Sequence, residues 1–104
     1  MKRYLIAISA LAVGIAVSTP SMADMALATS KNCASCHAVD KKVLGPSYKE
    51  VAAKYAGQAD AVDKLAGKIM KGGAGAWGPV PMPANAQVSA DEAKKLVTWI
   101  LTLK

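Results

Sequence analysis

Cys33-Ala34-Ser35-Cys36-His37 is the segment that constrains the structure of this chain most. In a helical turn, residues three apart project to the same side, so the sulfurs of Cys33 and Cys36 can reach the two vinyl groups on one edge of a porphyrin. His37 follows directly and falls under the iron, for which histidine is a standard ligand. This spacing is the attachment signature of c-type haem. The segment therefore predicts one covalently bound haem c, attached through Cys33 and Cys36, with His37 as an axial ligand of the iron.

Three other interpretations of the two cysteines stay open on the sequence alone. A redox-active dithiol also uses Cys-x-x-Cys, but the strand-helix-strand pattern that surrounds such a pair is not found here. A zinc site needs three or four ligands, whereas Cys33, Cys36 and His37 form one tight cluster that no second cysteine pair follows. A structural disulfide suits an exported protein but leaves the adjacent histidine unexplained. Haem attachment is the interpretation that we favour.

The N-terminus has the organisation of a secretory signal peptide. Lys2 and Arg3 give a positive start, residues 5–17 form an apolar run, and Ser21-Met22-Ala23 supplies small residues at the positions that a signal peptidase reads. The run is shorter than the roughly 18 apolar residues that a membrane-spanning helix needs. We therefore predict that residues 1–23 are a cleaved signal peptide and that the protein is periplasmic. An uncleaved membrane anchor is the alternative.

Cleavage before Asp24 leaves residues 24–104 as one small domain. Its net charge is about +4, because the whole chain carries +6 and the signal peptide takes two basic residues with it. Every remaining basic residue is a lysine, which argues against nucleic-acid binding because bidentate arginine contacts are absent. A domain of this size usually needs a disulfide, a metal or a cofactor to be stable. The chain contains no phenylalanine, so a haem would supply much of the apolar core.

Three or four helices and no convincing strand are expected in this domain. The first helix covers residues 25–32 and runs into the cysteine segment. Ser47 and Glu50 have the spacing of a capping box, so a second helix should start there and reach about Tyr55. Asp60 can cap a third helix, whose apolar residues recur at intervals of three and four.

A glycine-rich segment and a closing helix complete the chain. Gly72-Gly73 stops the third helix, and residues 72–86 are expected to be irregular. Ser89 and Glu92 repeat the capping-box spacing, and the helix that follows carries one apolar stripe. The stripe contains Ala93, Leu96, Val97, Ile100 and Leu101. We expect it to pack on the first helix, with Trp99 as a core residue.

The second axial ligand of the iron is restricted because His37 is the only histidine. Methionine is a common partner of histidine in cytochromes c, and three methionines follow residue 23. Met25 lies on the same helix as the cysteine segment, and Met70 lies in an apolar stripe where a core position is expected. Met82 stands in Gly78-Pro79-Val80-Pro81-Met82-Pro83, where prolines stiffen a loop that no helix supports. Met82 is therefore the predicted second ligand, and a mere packing role is the alternative.

These features together resemble the small monohaem class I cytochromes c of bacteria, the cytochrome c-551/c-552 type. The resemblance spans residues 24–104 and rests on the cysteine segment, Leu44-Gly45-Pro46, residues 77–83 and the closing helix with Trp99. It implies an all-α fold, the small class I cytochrome c fold. In that fold three to five short helices surround one covalently bound haem, and the N- and C-terminal helices pack together.

The resemblance also implies roles for four residues around the haem. The carbonyl of Pro46 accepts a hydrogen bond from the ring N–H of the haem histidine, which fixes the tautomer and the plane of the ring. The indole N–H of Trp77 points at a haem propionate, and Asn85 hydrogen-bonds near the methionine sulfur. Lys68 stands where some relatives place an arginine near a propionate.

Electron transfer is the expected function, because protein ligands fill both axial positions of the iron. We predict a soluble periplasmic electron carrier, not an enzyme, that takes one electron between membrane cytochrome complexes of respiration and a terminal reductase or oxidase. A haem enzyme or sensor such as a peroxidase would need an open iron site, and a thiol oxidoreductase is a third alternative. The expected partners are redox proteins, with no nucleic acid and no membrane insertion after cleavage, and the protein is expected to be a monomer.

Two groups of residues are candidates for the surface that docks onto these partners. Lysines near the haem segment would steer the protein toward an acidic face, although such lysines are often only a solvated surface. An exposed apolar rim around the haem would serve a small and short-lived encounter. The lysines are Lys31, Lys41 and Lys42, and the apolar rim consists of Ala34, Val43, Pro79 and Val80.

Overall fold

The structure is a computed structural model that describes residues 10, 12–14 and 20–104 of the chain. Most of the predicted signal peptide, including most of its apolar run, lies outside the described residues. Among the residues that are described, no helix is both long enough and apolar enough to cross a membrane.

Four helices, a short 3₁₀ turn and one small hairpin make up the described chain. The helices are α1 (Pro20–Ser30), α2 (Tyr48–Tyr55), α3 (Ala61–Lys71) and α4 (Ala90–Ile100). The 3₁₀ turn covers Cys33–Ser35, and the strands are β1 (Gly73–Gly75) and β2 (Gly78–Met82). The predicted all-α class is confirmed, since the helices form the framework and the sheet has only two short strands.

The first helix has different bounds from the predicted 25–32. It begins at Pro20, a residue that the first turn of a helix tolerates because its missing N–H would have no partner there. It ends at Ser30 because Asn32 takes a left-handed backbone conformation with φ 65°, which turns the chain into the 3₁₀ turn. The cysteine segment therefore lies just beyond the helix.

Capping boxes set the starts of α2 and α4 as predicted. Ser47 accepts a hydrogen bond from the Glu50 amide at 3.1 Å, and the Glu50 carboxylate accepts from the Ser47 amide at 2.9 Å. Ser89 and Glu92 make the same reciprocal pair at 3.2 and 3.0 Å. Asp60 occupies the N-cap position of α3, but its side chain makes no capping hydrogen bond there.

The expectation that residues 72–86 contain no strand is wrong. Gly73 pairs with Met82 and Gly75 with Gly78 in an antiparallel hairpin. Glycine and proline are rare in strands, which is why the sequence predicted an irregular segment. The hairpin forms because Gly75 and Gly78 adopt φ values of 98° and 110°, which side chains disfavour, and because prolines are tolerated at the edge of a sheet.

The core lies between α4 and the helices that it contacts, α3, α1 and α2. Four residues of the predicted apolar stripe are buried, and Trp99 is buried as predicted. The buried stripe residues are Ala93, Leu96, Val97 and Ile100. The prediction of a core position for Met70 is wrong, because this residue is 37% exposed. Its neighbour Ile69 is buried instead, and successive helical residues point about 100° apart.

Candidate functional site

One cavity of about 630 Å³ brings together residues from all four helices, the 3₁₀ turn and both strands. This volume lies within the range of about 300–1,000 Å³ that is usual for small-molecule and cofactor sites. Seven of the eight predicted site residues line it, and Asn85 does not. The seven are Cys33, Cys36, His37, Pro46, Lys68, Trp77 and Met82.

Cys33, in the 3₁₀ turn that follows α1, and Cys36, directly after that turn, both line the cavity. The amides of Cys36 and His37 donate to the carbonyl oxygen of Cys33 at 3.2 and 3.0 Å, which closes the turn and keeps the cysteine segment compact. Both thiols are free and partly buried. Burial, with a smaller contribution from nearby Cys36, raises the pKa of the Cys33 thiol. A redox-active dithiol needs a lowered thiol pKa, so this environment does not favour that interpretation.

Of the two ring nitrogens of His37, one is held by a hydrogen bond and the other is free. Its Nδ1 lies 2.7 Å from the carbonyl oxygen of Pro46. Because a carbonyl only accepts, Nδ1 carries the proton and Nε2 keeps its lone pair for a metal. The Tyr48 ring stacks on the imidazole, with 5.5 Å between the ring centroids and 22° between the planes.

Gly45 allows the Pro46 carbonyl to come this close to the imidazole. A Cβ at position 45 would lie 2.9 Å from Nδ1 of His37 and closer still to Cε1. The Gly45 amide also donates to the carbonyl of Cys36 at 2.8 Å. The backbone of the loop is therefore held directly against the cysteine segment.

Met82 enters the cavity from the end of β2. It is half-buried and packs against the core. Close approach of α3 to this loop needs Gly72, with φ 70°, because a Cβ there would lie 2.8 Å from the Ala84 nitrogen. The amide of Asn85 donates to the Ile69 carbonyl at 3.2 Å, which ties the loop after Met82 to α3.

Asn85 has other partners than the sulfur of Met82. Its side-chain Nδ2 donates to the carbonyl oxygens of Ile69 and Pro83 at 2.9 and 3.3 Å. Its Oδ1 accepts from the Nε2 of Gln87 at 3.1 Å. Asn85 therefore fastens the methionine loop rather than lining the cavity.

A bridge between Lys31 and Gln87 was not foreseen from the sequence. Lys31 Nζ donates to the carbonyl of Gln87 at 3.0 Å, and Gln87 Nε2 donates to the carbonyl of Lys31 at 3.2 Å. Lys31 also pairs with Glu92 at 3.2 Å. The bridge joins the end of α1, just before the cysteine segment, to the loop that follows Met82. No local sequence pattern predicts a contact between residues that are 56 positions apart.

Trp77 and Lys68 lie on the glycine-rich side of the cavity. Trp77 is 40% exposed, so it is not a core tryptophan. Lys54 lies over it, with Nζ 4.4 Å from the centre of the ring. Lys68 is partly buried beside Gly73, and within the described residues no carboxylate pairs with it.

The residues around this cavity fit a haem c. Two thiols, a histidine with a free Nε2 and a thioether are the groups that attach haem and bind its iron in cytochromes c. The hydroxyl of Tyr48, which lines the cavity, is buried without a hydrogen-bond partner, and burial raises its pKa to about 12. Among the described residues, no group of three or more His, Cys, Asp or Glu side chains could hold a lone metal ion. The site therefore suits a prosthetic group better than zinc.

Comparison with known proteins gives concordant matches. A family model described as cytochrome c matches residues 25–104. Cytochrome c-551 of Allochromatium vinosum is 53% identical over 87 residues, which cover 84% of this chain and 93% of that protein. Cytochrome c-552 of Hydrogenobacter thermophilus is 50% identical over 104 residues, with 100% of both chains covered. The crystal structure of wild-type cytochrome c552 from Nitrosomonas europaea matches with a TM-score of 0.75 and 54% identity, over 77% of this chain and 99% of that chain.

Proposed function

The chain belongs to the cytochrome c family and carries one covalently attached haem c, and we propose that it is a periplasmic electron carrier whose haem iron is bound by His37 and Met82. Cys33 and Cys36 attach the haem in this proposal. The observation that carries it is that both thiols, the imidazole and the thioether line one cavity.

The bound haem supplies a one-electron couple between ferric and ferrous iron. The residues of the chain hold the two proposed iron ligands in place. The hydrogen bond from His37 to Pro46 holds the imidazole in one tautomer and one orientation. The hairpin and the Asn85 contacts hold the Met82 loop. Two fixed protein ligands leave no open position for a substrate, which favours a carrier over a peroxidase.

Replacing Met82 by alanine tests the ligand set. We expect the Met82→Ala protein to show a high-spin ferric spectrum, a lower reduction potential and rapid cyanide binding, because one axial position opens. Met70→Ala is the matched control, since Met70 is exposed on α3 and does not line the cavity. A Met82→Ala spectrum identical to that of the wild type would exclude Met82 as the ligand.

The periplasmic location depends on the signal peptide, residues 1–23. Its basic start and apolar run support export, and haem attachment through cysteines is compatible with that compartment. Mass spectrometry of the haem-containing protein isolated from its bacterial host should give the mass of residues 24–104 plus that of one haem. A haem protein that retains Met1 would contradict cleavage.

We further propose that the partners are redox proteins, namely a membrane cytochrome complex and a terminal reductase or oxidase. All four residues of the apolar rim are exposed, and Lys41 and Lys42 beside it are exposed and outside the described salt bridges. Steering by these lysines predicts that the second-order rate of reduction by such a complex falls as ionic strength rises. A rate independent of salt would assign docking to the apolar rim alone. Sedimentation should show the expected monomer.

A further inference from the structure

Trp77 lies at the tip of the hairpin, where the backbone gives it little support. The preceding strand, β1, has only three residues. The glycines on either side, Gly75 and Gly78, have φ values of 98° and 110° and carry no side chain that packs. The ring itself is 40% exposed. The sequence around Trp77 therefore leaves the indole free to take several orientations unless another element holds it.

Lys54 of α2 supplies two contacts to this tip. Its Nζ donates a hydrogen bond to the carbonyl oxygen of Ala76 at 2.8 Å. The same Nζ lies 4.4 Å from the centre of the Trp77 ring, within the roughly 6 Å over which a cation is attracted to an aromatic face. One ammonium group therefore fixes both the backbone before Trp77 and the face of its ring.

The anchor stands on a rigid element. Helix α2 starts with the complete capping box of Ser47 and Glu50 and has Tyr48, Ala52 and Tyr55 in the core. Lys54 lies in its last turn, where a cation is also favourable for the helix dipole. Lys54 therefore fixes the hairpin tip relative to α2, although the two residues that its hydrogen bond joins are 22 positions apart in the chain.

We propose that Lys54 is a positioning residue that holds Trp77 in one orientation against the haem cavity. The inference rests on the proposed function and on the role that the resemblance implies for Trp77, whose indole N–H points at a haem propionate. Lys54 itself does not line the cavity, so it acts through Trp77 and the Ala76 carbonyl. Loss of Lys54 loosens the indole and changes the surroundings of the haem, and the reduction potential falls as a result.

Lys64 offers a matched control for the loss of charge. Its Nζ lies 5.8 Å from the centre of the Tyr55 ring, and that of Lys54 lies 5.9 Å from the same centre. Both lysines are exposed, but only Lys54 contacts the hairpin tip. Lys54→Met and Lys64→Met therefore remove the same charge from the same region, and both keep an unbranched chain of similar length.

The test measures the indole N–H of Trp77 by NMR in the haem-containing protein. In Lys54→Met we expect its exchange with solvent to be about fivefold faster, the factor that corresponds to about 1 kcal/mol, because the indole is held less firmly. Lys64→Met should match the wild type. Lys54→Arg should restore slow exchange to within about twofold, because a guanidinium both donates to a carbonyl and stacks on an indole.

The reduction potential gives the second readout. It should fall further in Lys54→Met than in Lys64→Met, because a simple loss of surface charge affects both variants alike. Equal indole exchange, or equal shifts of potential, in the two variants would overturn the proposal. Failure of the proposed ligand set would be visible separately, as a wild-type ferric spectrum without methionine ligation.

Discussion

His37 shows how closely a single side chain is specified in this protein. The Pro46 carbonyl holds Nδ1, the Tyr48 ring stacks on one face, and the backbone of Gly45 lies against the edge of the ring. The imidazole is therefore oriented by neighbours that follow it within eleven residues. Most of this environment belongs to one continuous segment of the chain.

Gly45→Ala tests this environment directly. The new Cβ would overlap the imidazole, so the loop or the ring must move. Overpacking of this kind costs about 1–3 kcal/mol, and we expect that loss in the free energy of unfolding, measured with guanidinium chloride.

Gly67→Ala is the matched control for the glycine substitution. Gly67 lies inside α3, and a Cβ added there would have no neighbouring atom within 4 Å. A helical alanine should raise stability by about 0.5–1 kcal/mol. Equal effects of the two substitutions would contradict the close contact at Gly45.

At the level of elements, the start of α4 combines a capping box with an ion pair. The Glu92 carboxylate accepts from the Ser89 amide and pairs with Lys31. The backbone hydrogen bond from Ser89, followed by the contact with Lys31, lowers the pKa of Glu92. A carboxyl with a lowered folded pKa stabilises the protein above its unfolded pKa of about 4.3, and this stability disappears as the pH falls through the folded value.

Glu92→Gln should therefore flatten the acid side of the stability profile. We expect urea unfolding between about pH 5 and pH 2 to show a smaller loss of stability in the variant than in the wild type. Asp91→Asn removes the same charge from the same helical turn, but Asp91 takes no part in the capping box. An acid slope that both substitutions change equally would refute the specific role of Glu92.

The bridge between Lys31 and Gln87 connects two further elements. Gln87→Ala removes the Nε2 donor that reaches both the Lys31 carbonyl and Asn85. We expect a loss of about 1 kcal/mol in unfolding free energy and faster amide exchange at residues 85–88. Gln58→Ala is the control, because that glutamine makes only one long contact, at 3.4 Å, within its own segment. Unchanged exchange in Gln87→Ala would show that the bridge does not hold the loop.

The molecule as a whole is small, and its helices surround a cavity that adjoins the buried core. The lining of that cavity includes residues such as Leu65, Leu96 and Val97, which belong to the same buried cluster as the interface of α3 and α4. A domain of this size buries little apolar surface by itself. The covalent haem is therefore part of the folding unit.

Replacing both Cys33 and Cys36 by alanine should remove the covalent haem and most of the helical structure. We expect a large loss of far-ultraviolet circular dichroism, because a domain this small depends on its cofactor. Ser35→Ala, between the two cysteines, should keep both haem and helix, since its exposed hydroxyl only contacts the Asn32 carbonyl and the Cys36 sulfur. A fully helical double variant would show that the polypeptide folds without the haem.

Local interactions explain what the sequence determined by itself. The cysteine segment needs five consecutive residues, and each capping box needs four, so helix starts and the haem-attachment segment are readable without a fold. The buried stripe of α4 follows from the helical period.

The tertiary structure decided the features that depend on distant residues. The hairpin required glycines with positive φ, Met70 lies 37% exposed beside the buried Ile69, and the Asn85 side chain hydrogen-bonds to Ile69 of α3. The contacts of Lys54 with the hairpin tip and of Lys31 with Gln87 join residues 22 and 56 positions apart. Such contacts form only after the helices have packed, because a free chain gains too little from one hydrogen bond to offset the entropy of closing the loop.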